Sequence, residues 1–338
     1  MCHDRLAEGE APACVQACPT EAIKIVKVDV AEKSKLGQRN LGWLNGAPAA
    51  SITLPTTRFT GREVPLTAQA ADHDHLRPEH AHWPLVLMLV LTQAAVGLFI
   101  TASLLEASSP LHLIFSLTSL ALFSIGLIAA TLHLGQPLKA WRFFLGLKTS
   151  WLSRELLAFT ILGAFLTAPL LNHLPFELPA VLNFLPNLVH HTAFKVSSVL
   201  IALTAVFTSV KIYQTTPRTL WQGRITFPRF FGTVLAFGLL TLSVQSLPAT
   251  FAFSTVMLFK LALDVFQLRA PELQREKKMV VGPLKSLSLL RVVAGVLAAT
   301  SVYLSPWLAL PFLLVSQLAE RTLYFKAVRP LKMPGFLN

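Results

Sequence analysis

The stretch WPLVLMLVLTQAAVGLFITASLL, residues 83–105, decides the fold, because it runs its whole length without an ionisable side chain. About 20 consecutive apolar residues, wound as a helix, cross the hydrocarbon core of a bilayer. Working outward from it, apolar stretches cover about 84–105, 110–133, 152–173, 193–214, 229–246, 248–267, 284–304 and 306–325. The expected fold class is therefore an all-α polytopic membrane protein with eight transmembrane helices, the fifth and sixth short and nearly touching. Composition agrees. Charged residues make up only 14% of the chain, where a soluble domain carries about a quarter. The mean hydropathy of +0.58 points the same way.

A net charge of +12 would suit a nucleic-acid binder, but the basic residues sit in loops between apolar segments. That is the pattern of a chain whose partner is lipid, and no nucleic acid is expected. With eight spans, one face receives Lys139, Arg142 and Lys148, then Arg218, Arg224 and Arg229, then Arg269, Arg275, Lys277, Lys278 and Lys285, and finally Lys326, Arg329 and Lys332. The opposite loops, around 106–109, 174–192, 247 and 305, hold no Lys or Arg. The positive-inside rule then places both termini in the cytoplasm of a bacterial inner membrane.

Three parts are expected: residues 1–30, a linker at 31–82 and a membrane domain at 83–330. Residues 1–30 are polar, lack the apolar core of a secretory signal, and hold all three cysteines, Cys2, Cys14 and Cys18. An odd, clustered set argues for metal ligation over a disulfide framework. The C-x3-C-P run ending at Cys18-Pro19 is how bacterial ferredoxins present their last thiolates to a 4Fe-4S cluster. Residues 31–82 are rich in Pro, Thr and Ala and include His73, His75, His80 and His82. They show no helical or strand period and read as a solvated linker, with a histidine metal tract as the competing reading.

The most informative internal string is HLGQPLKAWR, residues 133–142, continuing to TSWLSREL, residues 149–156. Gly135 and Pro137 end the second helix, and Thr149 or Ser150 caps the third. His133 and Glu155 then lie at similar depth, just inside one membrane surface, on helices joined by a short loop. A quinol loses two protons with its two electrons, so an imidazole and a carboxylate at that depth suit its oxidation. Trp141 and Trp151 would pack the ring or mark the interface. The competing reading is an interfacial histidine and a solvent-facing Glu155 paired with Arg154 or a loop Lys, and spacing alone leaves both open.

Two resemblances bear on this. From Cys2 to Ala22 the chain resembles the end of the iron–sulfur subunit of dimethyl sulfoxide reductase-type molybdoenzymes, whose pattern is C-x2-C-x-D-R, a gap, then P-x-C-V-x-x-C-P-T-x-A. Met1 stands between the positions of the first two cysteines, so a truncated reading frame is expected, or else a degenerate segment without a cluster. The string H-L-G-x-P-x-x-A-W-R … S-W-L-S-R-E resembles the membrane anchor subunit of the same enzymes. So does AERTLYF, residues 319–325, although Ala319 replaces a glycine. The resemblance implies menaquinol binding by His133 and Glu155, with Trp141, Trp151 and Arg154 beside them. It implies electron delivery to iron–sulfur clusters and a separate molybdopterin catalytic subunit as partner. Because the N-terminal segment and loop charges stay inside, a cytoplasm-facing complex is expected.

Other polar groups at membrane depth read mainly as ion pairs. Lys260 and Asp264, four apart on the sixth helix, share a face and are expected to neutralise one another. Glu320 is expected to meet a group on another helix, and Gln93, Gln245 and Gln317 to bond between helices. Lys195 and Lys211 lie near helix ends and can snorkel. Two rivals remain: a polysulfide or nitrite reductase-type subunit that couples quinone chemistry to ion movement through Lys260 and Asp264, and a passive anchor without a quinone site.

Overall fold

The computed structural model describes residues 3–20, 22–26, 28–29, 31–32, 35, 44–45, 47, 50, 55–59, 64–73, 76–106, 109–132, 134–173, 189, 191–216, 218–328 and 332–334. They form two compact units, one of residues 1–75 with 331–338 and one of residues 76–330. In the first, short helices His3–Ala7 and Ala13–Gln16 flank a turn closed by Gly9, whose φ of 79° is the left-handed conformation that glycine tolerates. In the same unit, the Ala71 amide donates to the Met333 carbonyl at 3.1 Å beside an antiparallel bridge between Ala70 and Pro334.

Among its described residues the second unit holds eight long helices: α1 (Trp83–Leu104), α2 (Pro110–Thr131), α3 (Trp151–Thr167), α4 (Thr192–Gln214), α5 (Gly223–Leu242), α6 (Leu247–Gln267), α7 (Lys285–Ser301) and α8 (Pro306–Lys326). Each coincides with one of the expected stretches. Six spans are long and apolar enough to cross a membrane: α1, α2, α4, α5, α6, and α3 when continued through the 3-10 turn that follows it to Leu171. A seventh span is reached if α7 is joined with the segment Pro271–Val281, bent from it by 92°. The expected count of eight is therefore not met by length and apolarity. α7 has only 17 residues, and α8 carries Gln317, Glu320 and Arg321 in its second half.

Serine and proline set several starts. Ser109 and Ser305 precede Pro110 and Pro306, which lack an amide just where a helix has no acceptor for it. The Ser305 hydroxyl also accepts from the Trp307 amide at 3.2 Å. α5 begins six residues before the expected 229, with Pro228 inside the helix. Pro228 lies in its second turn, where the one bond it removes is the bond to the Arg224 carbonyl. The segment between α6 and α7, read from sequence as a basic loop, contains the helix Gln274–Val281, whose Val280 packs with Leu220, Ile225 and Leu284.

α1 is the centre of the unit. Of its apolar window 78% is buried, against 28–56% for the other five spans, and it packs on α2, α4, α5 and α8. Water does not drive helices together inside lipid, so close backbone approach and hydroxyl bonds take over. Gly97 supplies the approach: a Cβ there would stand 2.5 Å from the Val234 carbonyl oxygen and 2.8 Å from the Gly238 nitrogen of α5. Thr101 donates across the same contact to the Gly238 carbonyl at 3.0 Å. Ser119 of α2 reaches the Ala95 carbonyl of α1 at 2.7 Å, and Ser254 of α6 reaches Ala299 of α7 at 2.7 Å. Side chains such as Ile128, Leu235 and Phe259 point outward, the apolar belt a lipid-facing surface requires.

A buried ion cluster ties five helices. The Glu320 carboxylate of α8 lies 3.0 Å from Lys260 Nζ of α6, 2.9 Å from Arg291 Nη2 of α7 and 2.9 Å from its neighbour Arg321. Arg321 donates on to Gln93 of α1 at 2.7 Å and to Thr233 of α5 at 3.0 Å. Lys260 donates to Gln317 at 2.7 Å and Thr233 at 2.9 Å. Lys260 and Asp264 therefore take different partners, contrary to the expected mutual pair. Asp264 meets Arg229 at 3.1 Å and Arg291 at 3.4 Å. Arg229, expected to be a loop-edge charge, is buried in α5. The expectation for Glu320 holds, since its charge partners reach it from α6 and α7.

Two outcomes follow from this packing. Gly97→Ala is expected to cost about 2 kcal/mol or more, since backbone atoms cannot yield as side chains do, and to lower the Tm of the purified protein. Gly163→Ala, whose Cβ would meet only a Phe123 ring carbon at 3.5 Å, is the tolerated control. Glu320→Gln strands Lys260 and Arg291 and is expected to cost about 3–5 kcal/mol, read as loss of folded protein in detergent thermal melts.

Candidate functional site

The start of α3 positions the carboxylate on which the sequence reading turned. The Ser150 hydroxyl caps the helix by accepting from the Ser153 amide at 3.4 Å, which sets Trp151 in the first turn and Glu155 in the second. Arg154 turns back to the preceding loop. Its Nε donates to the Leu147 carbonyl at 2.9 Å and its Nη2 to Lys148 at 2.8 Å, while its guanidinium stacks 4.5 Å over Trp151. Glu155 turns inward. It is only 6% exposed and accepts a hydrogen bond from the Ser209 hydroxyl of α4. The solvent-facing Glu155 paired with Arg154 is thus ruled out: the helical turn sets adjacent residues about 100° apart, and of the two only the carboxylate is buried.

Glu155 differs from the other two carboxylates in the long helices. Asp264 and Glu320 each face at least two cations, whereas Glu155 has a hydroxyl and no cationic partner among the described residues. Such a group can accept a proton without breaking an ion pair. Tyr213 stands one turn beyond Ser209 on the same face of α4, within an aromatic group that includes Trp221, Phe230, Tyr324 and Phe325 at centroid distances of 5.2–5.8 Å. Next to the carboxylate site, then, lies a rigid wall of rings.

The remaining expected residues fall out differently. His133 lies outside the described residues, following Leu132 at the end of α2. α2 and α3 do meet, with the Phe123 and Phe159 rings 5.6 Å apart edge to face, as a hairpin requires. Trp141 sits on a 3-10 helix, Pro137–Gly146, and is 62% exposed, so no protein surface encloses its ring. Trp151 is half-buried, with Lys211 Nζ of α4 at 5.8 Å and Arg154 on its ring. Sequence reasoning missed Ser209 and Arg291. A serine in an apolar helix carries no signal, but Arg291, an ionisable residue within the stretch 284–304, was readable as one.

In the N-terminal unit, Cys14 is exposed and Cys18 half-buried, while Cys2 lies outside the described residues. The Thr20 hydroxyl and the Ala22 amide, 3.6 and 3.3 Å from the Cys18 sulfur, hold its thiol below the usual range. That favours the thiolate, the form that ligates iron. Two thiols do not complete a four-cysteine cluster, and no group of three or more His, Cys, Asp and Glu gathers among the described residues. The described residues therefore do not fit a whole 4Fe-4S cluster.

A Haemophilus influenzae protein, named as the C subunit of an anaerobic dimethyl sulfoxide reductase, is 27% identical over 193 residues, which is 50% of this chain and 64% of that protein. The sequence thus spans somewhat under two thirds of the length of this relative. The family description "DMSO reductase anchor subunit (DmsC)" matches residues 78–303, from just before α1 to just after α7. With its bundle of long apolar helices, this multi-pass membrane protein belongs to the DMSO reductase anchor subunit family.

Proposed function

We propose that this chain is the menaquinol-oxidising membrane subunit of a molybdoenzyme complex of the dimethyl sulfoxide reductase type. The observation that carries the reading is Glu155: a buried carboxylate near one end of its helix, held by a hydroxyl and, among the described residues, without the cations that neutralise its counterparts. Oxidation of a quinol to a quinone releases two protons and two electrons. Glu155 accepts the proton of one hydroxyl, and Ser209 fixes the carboxylate that receives it. His133, which follows α2 in the sequence, takes the proton of the other. Arg154, stacked on Trp151, holds the loop that borders the site through the Leu147 and Lys148 carbonyls. The electrons leave to an iron–sulfur partner subunit, and from there to a molybdopterin subunit where the terminal acceptor is reduced.

The ion-coupled alternative draws on a different observation, the buried Lys260–Glu320 pair. The loop charges support a bacterial cytoplasmic membrane with both termini inside, since the basic residues between α2 and α3, α4 and α5, and α6 and α7 all fall on one face.

Glu155→Gln and His133→Ala, in membranes where assembly is verified, are each expected to slow menaquinol oxidation by about 100-fold or more. Ser209→Ala should slow it less. Unchanged turnover in both principal variants would make the chain a passive anchor, and a loss confined to Lys260→Met would favour the ion-coupled reading. Alkaline phosphatase fused after Asn338 is expected to be inactive in cells; strong activity would reverse the topology.

A further inference from the structure

The ion cluster does not balance. Arg229, Lys260, Arg291 and Arg321 bring four cations against the two carboxylates of Asp264 and Glu320. All but Asp264 are more than nine-tenths buried. Even with Lys260 counted as neutral, a positive charge is left over. At membrane depth an uncompensated charge is costly, and a counter-charge or a polar cavity accompanies it.

The cluster is also open on one side. A recess of about 550 Å³, part of it continuous with the surroundings, is lined on its polar side by Arg229, Asp264, Arg291 and Glu320. Its other walls include Leu261, Val265 and Val292. Val265 and Val292 are 53% and 41% exposed on helices of the membrane bundle, so the mouth faces the acyl chains rather than the protein interior. Within it, the buried Arg229 Nε has no hydrogen-bond acceptor among the described residues. Asp264, with 20% of its side chain exposed, is the least buried of the six charged groups and stands between the two guanidinium groups at the entrance.

We propose that this recess is a binding site for an acidic phospholipid, its phosphate on Arg229 and Arg291 and its acyl chains along Val265 and Val292. A cationic floor under an apolar, lipid-facing rim is complementary to an anionic amphiphile. Basic pockets between membrane helices on the cytoplasmic side recognise such headgroups. A soluble anion would meet the charge but not the rim, and a zwitterionic lipid brings its own cation. Lys277 and Lys278, in the segment joining α6 to α7, and Lys285, at the start of α7, add to the attraction for an acidic leaflet. Asp264 acts as the internal stand-in that the phosphate displaces or shares.

The site is tested on the full chain, purified in a neutral detergent with the subunits that accompany it and stripped of lipid. Phosphatidylglycerol, phosphatidylcholine and inorganic phosphate are titrated separately, with bound lipid read by native mass spectrometry and stability by thermal melting. Phosphatidylglycerol is expected to bind at least about 10-fold more tightly than phosphatidylcholine and to raise the Tm, with no effect of inorganic phosphate. Val265→Trp, which fills the mouth and leaves every charge in place, is expected to abolish that preference. Asp264→Asn should tighten phosphatidylglycerol binding, because it removes the competing carboxylate. Glu155→Gln should leave the preference intact, which separates this site from the quinol reading. Equal binding of the two lipids, or an unaltered preference in Val265→Trp, would overturn the proposal. A Tm shift reproduced by inorganic phosphate alone would also overturn it, in favour of a free-anion site.

Discussion

One carboxylate organises the larger unit. Glu320 holds Lys260, Arg291 and Arg321 within 3.0 Å, and through those three groups the last helix is fastened to α1, α5, α6 and α7. In water such contacts would contribute little. In a low-dielectric interior the attraction is larger, but so is the desolvation of each ion, and the net effect is chiefly to penalise any arrangement that separates them. Shifting α8 by one turn would leave several buried ions without partners. The cluster therefore specifies a register more than it adds stability, which van der Waals contact between apolar helix faces alone would leave loosely set.

Against that background the environment of Glu155 is distinctive. The α5–α8 side of the bundle spends its acidic groups on cations, while the α3–α4 contact leaves one acidic group facing only a hydroxyl. Between the two lies α1, buried over most of its length and joined to its neighbours by backbone-close contacts at Gly97 and hydroxyl bonds at Thr101 and Ser119. The scaffold thus stands beside a carboxylate whose described partner is the Ser209 hydroxyl, and on the proposed reading that carboxylate is the proton acceptor. Arg154, tied to carbonyls of the α2–α3 loop, keeps that acceptor free of a competing guanidinium.

Much of the helix layout was legible in the amino-acid order, because apolar length is a strong signal when lipid is the solvent. The positions of all eight long helices were readable. The count of eight spans is not confirmed by length and apolarity, since α7 is short and α8 trades apolar residues for the ion cluster. Pairings were the least legible. Reading Lys260 against Asp264 considers one helix at a time, whereas the actual partners, Glu320 and Arg229 with Arg291, come from three others. For Glu155, spacing could not say whether it faced water or the interior; the cap at Ser150 and the loop bonds of Arg154 decide it. His133 and Cys2 fall outside the described residues, so the second half of the expected proton pair stands on sequence alone.

The bond between Gln93 and Arg321 joins the first long helix to the last, 228 residues apart in the chain. Because helices enter the membrane in chain order, the α1 glutamine waits for a donor on α8, which follows the other long helices described. Until α8 arrives, the cations of α5, α6 and α7 lack the carboxylate at their centre. Completion of the bundle is thus chemically tied to the arrival of α8. Insertion of the other helices without it leaves stranded polar groups in the bilayer, each of them costly there.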